Sequence, residues 1–151
     1  ELFVAVYARL RETLMTKTLE VLKQADPTPL GLLDPAIRVF LVFIQEDPRY
    51  GRIMLIDALG IDAEVASLSN QTARDYAGLL KLHLARLVPD SARDQIDLDL
   101  LSDGLIGMNV LLAARWMYDG FATPLDKVVS TNMLPYQGLV SLLNDVATPR
   151  R

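Results

Sequence analysis

Apolar residues in the first part of the chain recur at helical spacing, with Phe3, Tyr7, Leu10, Leu14, Val21 and Leu22 on one face. This spacing predicts a long amphipathic helix over residues 1–25, stopped by the breaker run Asp26-Pro27-Thr28-Pro29. No capping residue precedes it and the first residue is Glu1, so its true beginning is expected upstream and the chain is expected to be a fragment. Asp34-Pro35 predicts an N-cap and an N1 proline before Ile37, Phe40, Leu41 and Ile44, and Asp47-Pro48 repeats the device before Ile53, Met54 and Leu55. Two short helices should meet there at a corner. Gly60 fits a C-terminal cap, and Asp62 can start a helix running through Tyr76 and Leu84 towards Val88-Pro89, followed by a polar link over residues 89–94.

Residues 98–119 depart from this amphipathic pattern. At 100° per residue, Leu101, Leu105, Met108, Leu112 and Trp116 share one face with Asn109 at its edge. A second face carries Gly104, Gly107, Leu111, Ala114 and Tyr118, and a third Ile106, Val110, Ala113 and Met117. Little polar surface is left. An interior glycine costs a helix ~1 kcal/mol relative to alanine, so two glycines one turn apart predict a close approach by another backbone. Asp119-Gly120 ends this pattern. Thr123-Pro124 with Asp126 starts a final helix through Val128, Val129, Asn132, Tyr136 and Leu143, with a kink expected at Pro135. Strand-like alternation and internal repeats are absent, which predicts one all-α domain over residues 1–151.

A helix that is apolar on every side needs a large core, a membrane or a partner. The longest unbroken apolar run, residues 2–8, is far short of a bilayer span. A twofold homodimer is the expected solution, its last two long helices forming a four-helix bundle with their copies. Gly104, Gly107, Leu111, Ala114 and Tyr118 would form the seam with Val129, Tyr136, Leu139 and Leu143. The competing arrangement is a central helix wrapped by its own chain.

Hydrophobic residues make up 51% of the chain against 23% charged, too apolar for disorder. There is no cysteine and no secretory leader pattern, so a cytoplasmic protein is expected, without disulfides or thiolate chemistry. The net charge of −4, with dispersed Lys and Arg, argues against nucleic-acid binding by this chain alone.

Several motifs then read together. Glu1-Leu2-Phe3-Val4-Ala5-Val6-Tyr7 resembles the start of the connecting helix that follows the DNA-binding head in TetR-family repressors. Phe40-Leu41-Val42-Phe43 with Asp47-Pro48-Arg49 resembles that family's short middle helices, and Gly107, Trp116 and Asp119-Gly120-Phe121 resemble its dimerisation helix and the turn after it. The resemblance implies a homodimeric sensing domain of a TetR-like repressor, with a pocket for a small, largely hydrophobic effector among the first helix, the middle helices and those carrying Tyr76 and Met108. It also implies a helix-turn-helix head before Glu1, through which alone the protein would contact DNA. The sequence given departs from the family in lacking that head.

The expected ligand-binding residues are Tyr7, Phe43, Met54, Tyr76, Leu80, His83, Met108, Asn109, Leu112 and Trp116. His83, the only histidine, lies on the apolar face of Val65, Thr72, Tyr76, Leu79, Leu80 and Leu87. It reads either as a hydrogen-bonded core residue or as a ligand contact. Asn109 needs a polar partner, from the backbone or from an effector, because an unpaired buried amide costs ~1–3 kcal/mol. Met and aromatic side chains at this spacing also fit a plain core. Neither a second histidine nor a Glu-x-x-His pair accompanies His83, so no metal and no cofactor are expected. Asp97, Asp99 and Asp103 suit the positive end of a helix dipole, and Arg49, Arg52, Lys81 and Arg115 suit solvated or paired surface charges. Ser102 has no histidine at matching spacing, and Gly104-Leu105-Ile106-Gly107 is too short for a phosphate loop, so an enzyme is not expected. The alternative to an effector-sensing domain is a ligand-free helical dimerisation or protein-interaction module.

Overall fold

A computed structural model describes residues 1–57 and 63–147, and every regular element among them is helical. Gly60 and Asp62, read above as cap and helix start, lie outside the described residues. The helices are α1 (Leu2–Gln24), α2 (Leu33–Glu46), α3 (Pro48–Arg52), α4 (Ala63–Leu84), α5 (Leu98–Tyr118) and α6 (Leu125–Ala147). A π-helical turn at Ile53–Asp57 continues α3, and a 3-10 turn at Asp90–Ala92 occupies the link before α5.

Local chemistry sets most of the boundaries. Ala25 is extended after α1, and Thr28 N donates to Asp26 Oδ1 at 3.0 Å while Gly31 N returns to Thr28 O at 3.1 Å, so the breaker run closes a turn. Asp47 caps α3 by accepting from Arg49 N at 3.0 Å, with Pro48 in the first turn. Asp97 caps α5 by accepting from Asp99 N and Leu100 N, both at 3.0 Å. The expected cap at Asp34 is corrected. The helix already includes Leu33, Asp34 N donates to Leu30 O at 3.4 Å, and the carboxylate pairs with Arg38 instead. Pro35 still falls within the first turn, where its missing N–H breaks no helical bond.

The end of α5 is a complete Schellman closure. Phe121 N donates to Trp116 O at 2.9 Å and Gly120 N to Met117 O at 3.0 Å, with Gly120 and Phe121 both at positive φ (66° and 58°). Phe121 is not a glycine and pays for that backbone region through its edge-on contact with Trp116, ring centroids 4.8 Å apart. Beyond this turn α6 runs as one helix through Pro135.

The helices pack with α5 along α4, α1 along α2 and α2 against α6. The main core joins Tyr7, Leu10 and Leu14 of α1 to Leu41 and Ile44 of α2, Val65 and Leu84 of α4, Ala113 and Trp116 of α5, and Val129 and Tyr136 of α6. A smaller cluster ties Val88 and Ala92 of the link to Leu143. Ion pairs fasten the frame at Lys81–Asp99 (2.6 Å) between α4 and α5 and at Arg38–Asp126 (2.6 Å) between α2 and α6.

The orientation of α5 differs from the expected one. Its buried line is Ser102, Leu105, Asn109, Ala113 and Trp116, whereas Leu101, Met108 and Leu112 are only half-buried. The small side chains of Ser102 and Ala113 on that line permit a close helix neighbour, which the apolar count alone does not favour. Nor is α5 covered all round by its own chain: Leu100, Leu111 and Tyr118 are about 70% exposed.

Candidate functional site

The helices form a partly open pocket of about 490 Å³, walled by α1, α2, the π-helical turn, α4, α5 and α6. Six of the expected ligand-binding residues line it: Tyr7, Met54, Tyr76, Leu80, His83 and Asn109. Phe43, Met108, Leu112 and Trp116 are not in its wall. Phe43 stacks on Tyr50 with ring centroids 5.2 Å apart, and Trp116 Nε1 donates to Thr123 O at 2.7 Å, so both rings are engaged elsewhere in the fold. Met108 and Leu112 miss the wall because α5 presents Ile106, Asn109 and Val110 to it instead.

The wall is mainly aliphatic, with α2 contributing Leu33, Ile37, Phe40 and Leu41. Among its polar members, Thr18, Ser69, Thr72 and Asn132 were not among the expected ligand residues. The available signal was a polar residue on an apolar stripe. Thr18 continues the line of Tyr7, Leu10 and Leu14, and Asn132 lies one turn from Val128 and from Tyr136.

Two polar patches are set into this wall. Between α1 and α4, Tyr7 Oη donates to Thr72 Oγ1 at 3.4 Å, and Thr72 Oγ1 donates to Leu68 O at 2.8 Å. Thr18 Oγ1 donates to Leu14 O at 2.8 Å and meets Tyr76 Oη at 3.3 Å. Alongside, Arg11 pairs with Asp75, which also accepts from Gln71 Nε2 at 2.9 Å. The Gln71 amide, followed by the Arg11 guanidinium, holds the Asp75 carboxyl below the usual carboxylate range. Between α5 and α6, Asn109 Nδ2 donates to Tyr136 Oη at 2.8 Å, and Asn132 Nδ2 to Val128 O at 2.8 Å.

Burial raises the Tyr76 and Tyr136 hydroxyls above the ordinary tyrosine range, only partly opposed by their hydrogen bonds with Thr18 and Asn109 respectively. Both are therefore neutral at physiological pH. His83 Nε2 donates to Pro29 O at 2.6 Å, fastening α4 to the turn after α1 while its ring lines the cavity. The hydrogen-bonded reading of His83 describes this contact. Among the described residues no carboxylate lines the cavity, and the strongly basic member of that lining, Arg86, is exposed. Among the described residues no cluster of three or more metal-ligating side chains occurs, and no helix is long and apolar enough to cross a membrane.

The outward faces of α5 and α6 form a second feature. Leu100, Leu111 and Tyr118 are exposed on α5, and Leu134 and Leu142 are about 60% exposed on α6. A Cβ added at Gly104, Gly107 or Gly138 would meet nothing within 4 Å. The expected seam residues divide here. Gly104, Gly107, Leu111 and Tyr118 lie open, whereas Ala114 and Leu139 are half-buried. Val129, Tyr136 and Leu143 are corrected: they are buried in their own subunit, the first two in the main core and Leu143 in the smaller cluster. The same stripe of α6 that fills the core cannot also face a partner.

No protein-family model matches the chain, and no curated protein matches it. The geometry itself defines a class: an all-helical protein with a partly open, mainly apolar pocket and exposed apolar residues on its last two helices.

Proposed function

We propose that this chain is the effector-sensing and dimerising part of a TetR-like transcriptional repressor, binding a small, largely hydrophobic molecule. The pocket carries the proposal: a mainly apolar cleft of this size with a few placed polar groups is the usual form of a small-molecule site, for which volumes of about 300–1,000 Å³ are typical. A module that only dimerises has no use for such a cleft, so the pocket favours sensing over that alternative. The exposed apolar residues of α5 and α6, among them Leu100, Leu111, Tyr118, Leu134 and Leu142, support a homodimer, since large apolar side chains left in water favour association.

In this reading the protein works in the cytoplasm and DNA is held by a helix-turn-helix head outside this sequence, consistent with the net charge of −4. Helix α5 is the coupling element. It places Asn109 in the cavity wall and Gly107 and Leu111 on the outer face, so a ligand that favours one position of α5 also favours one geometry of the dimer.

Thermal-shift screening with hydrophobic metabolites, dyes and antibiotics tests the site. A ligand present at ~100 times its dissociation constant adds about 2.7 kcal/mol, a rise in melting temperature of roughly 5–10 °C for a domain of this size. A broad panel without a single stabilising compound would leave the sensing reading without support and the dimerisation module ahead.

A further inference from the structure

The pocket wall is unequal along its length. On α4 and the turn after it the lining runs from Ser69 and Thr72 to His83 and Arg86, and on α1 from Tyr7 to Leu22, roughly 20 Å of helix on each side. At one end Tyr7 and Tyr136 are each 1% exposed, and Met54 and Thr72 are buried. Towards the other end the wall opens: Leu79 is 37% and Leu82 67% exposed, and Arg86 is exposed. Charge is distributed just as unevenly. The chain carries 19 acidic residues against 15 basic ones, yet among the described residues no Asp, Glu or Lys lines the pocket, and Arg86 is the one permanent charge in its wall. Asp75, Asp90 and Asp99 each pair with another cation, Arg11, Arg93 and Lys81 respectively, and no described side chain pairs with the Arg86 guanidinium. His83, one turn before it, has its Nε2 hydrogen committed to Pro29 O.

Resting on the sensing reading above, we propose that the ligand is an amphipathic anion of the fatty-acid class, its alkyl chain along the aliphatic wall and its carboxylate at Arg86 in the mouth. An extended chain suits a wall that is long and mainly aliphatic, and each methylene it buries tightens binding about fourfold. The head group belongs at the open end, because a carboxylate taken to the buried end would lose its hydration with no cation there to replace it. At the mouth it keeps part of that hydration and faces a guanidinium, whose planar donors match a carboxylate in pairs. An amphipathic cation would meet Arg86 as a like charge and find no carboxylate in the described wall to hold it. An uncharged amphiphile gains the same burial and nothing from Arg86.

The test is calorimetric titration of the whole chain with two straight-chain series of opposite charge, octanoate to dodecanoate and octylammonium to dodecylammonium, below their micellar concentrations. Affinity should rise about fourfold per methylene in the carboxylate series, the mark of a chain in the apolar pocket. At equal length the carboxylate should bind roughly tenfold more tightly, through attraction to Arg86 in one series and repulsion in the other. The net charge of −4 favours the opposite order. This preference should shrink towards parity as the ionic strength rises from ~0.05 to ~0.5 M. Arg86→Gln should remove it and Arg86→Glu should reverse it. Both substitutions fall on an exposed side chain, so the fold should stand. Should either variant fail to fold, the Arg86 Nε–H resonance of the unaltered chain serves instead, shifting with decanoate and not with decylammonium. Chain-length-dependent binding without a carboxylate preference, or a preference unchanged in Arg86→Glu, overturns the anion assignment and leaves the pocket a ligand site. Binding of neither series overturns the assignment as well, and the sensing reading then rests on the broader thermal-shift panel alone.

Discussion

The inward and outward faces of α5 reverse the usual relation between polarity and burial. Asn109, an amide, is 9% exposed, while Leu111, two residues further on, is 70% exposed. The inward amide is bonded to Tyr136 across the α5–α6 contact, and the outward leucine lies one turn from Gly107, where an added Cβ would meet nothing within 4 Å. Composition tells how apolar a helix is, but only packing tells which side its own chain completes.

The largest expected effect breaks the inward face. Trp116→Ala removes a buried ring that closes the end of α5, both by its bond to Thr123 and by the contact that holds Phe121 at positive φ. A loss of about 3–5 kcal/mol is expected in denaturant unfolding of the chain, independent of protein concentration. A loss below ~1 kcal/mol would mean that the closure is not needed to hold α5 in place.

Gly107→Leu probes the outward face and should behave in the opposite manner. The added side chain enters open space in the subunit, and leucine improves helix propensity by ~1 kcal/mol, so subunit stability should hold or rise slightly. In the proposed twofold dimer the substitution would enter the seam twice. Dimer dissociation is expected to ease by about 2–4 kcal/mol, or roughly 30-fold to 1,000-fold, in sedimentation equilibrium. A dimer of unchanged strength would remove Gly107 from the interface, and a wild-type chain that is monomeric at micromolar concentration would remove the interface altogether.

The sequence made the helical architecture legible because its breakers are local. Asp47-Pro48 and Asp119-Gly120 act within a turn of their own position, and the structure uses each of them where the pattern puts it. Asp34 misled because Leu30 supplies the first acceptor of α2 through its backbone, which no side chain reveals. The cavity was legible only in part. Tyr7, Tyr76 and Asn109 stand out by residue type, but Met108 and Leu112 depend on a rotation of α5 of about one residue, decided by small residues that let neighbours close in. Val129 and Tyr136 went to the wrong surface for a related reason. Periodicity identifies an apolar stripe on α6 without saying whether its own chain or another covers it.

The smallest effect expected concerns two of the three cavity tyrosines, Tyr76 and Tyr136, and compares the patches with each other. Tyr76 and Tyr136 both titrate above the ordinary value of 10.0, each chiefly because burial disfavours the phenolate. In the unfolded chain both return to the ordinary range, so the folded state binds more protons once the pH passes about 10. Their contribution to stability is therefore complete below the unfolded value and is lost as the pH climbs through the folded one. Ultraviolet titration should show two late-ionising phenols, with one disappearing in Tyr76→Phe and the other in Tyr136→Phe.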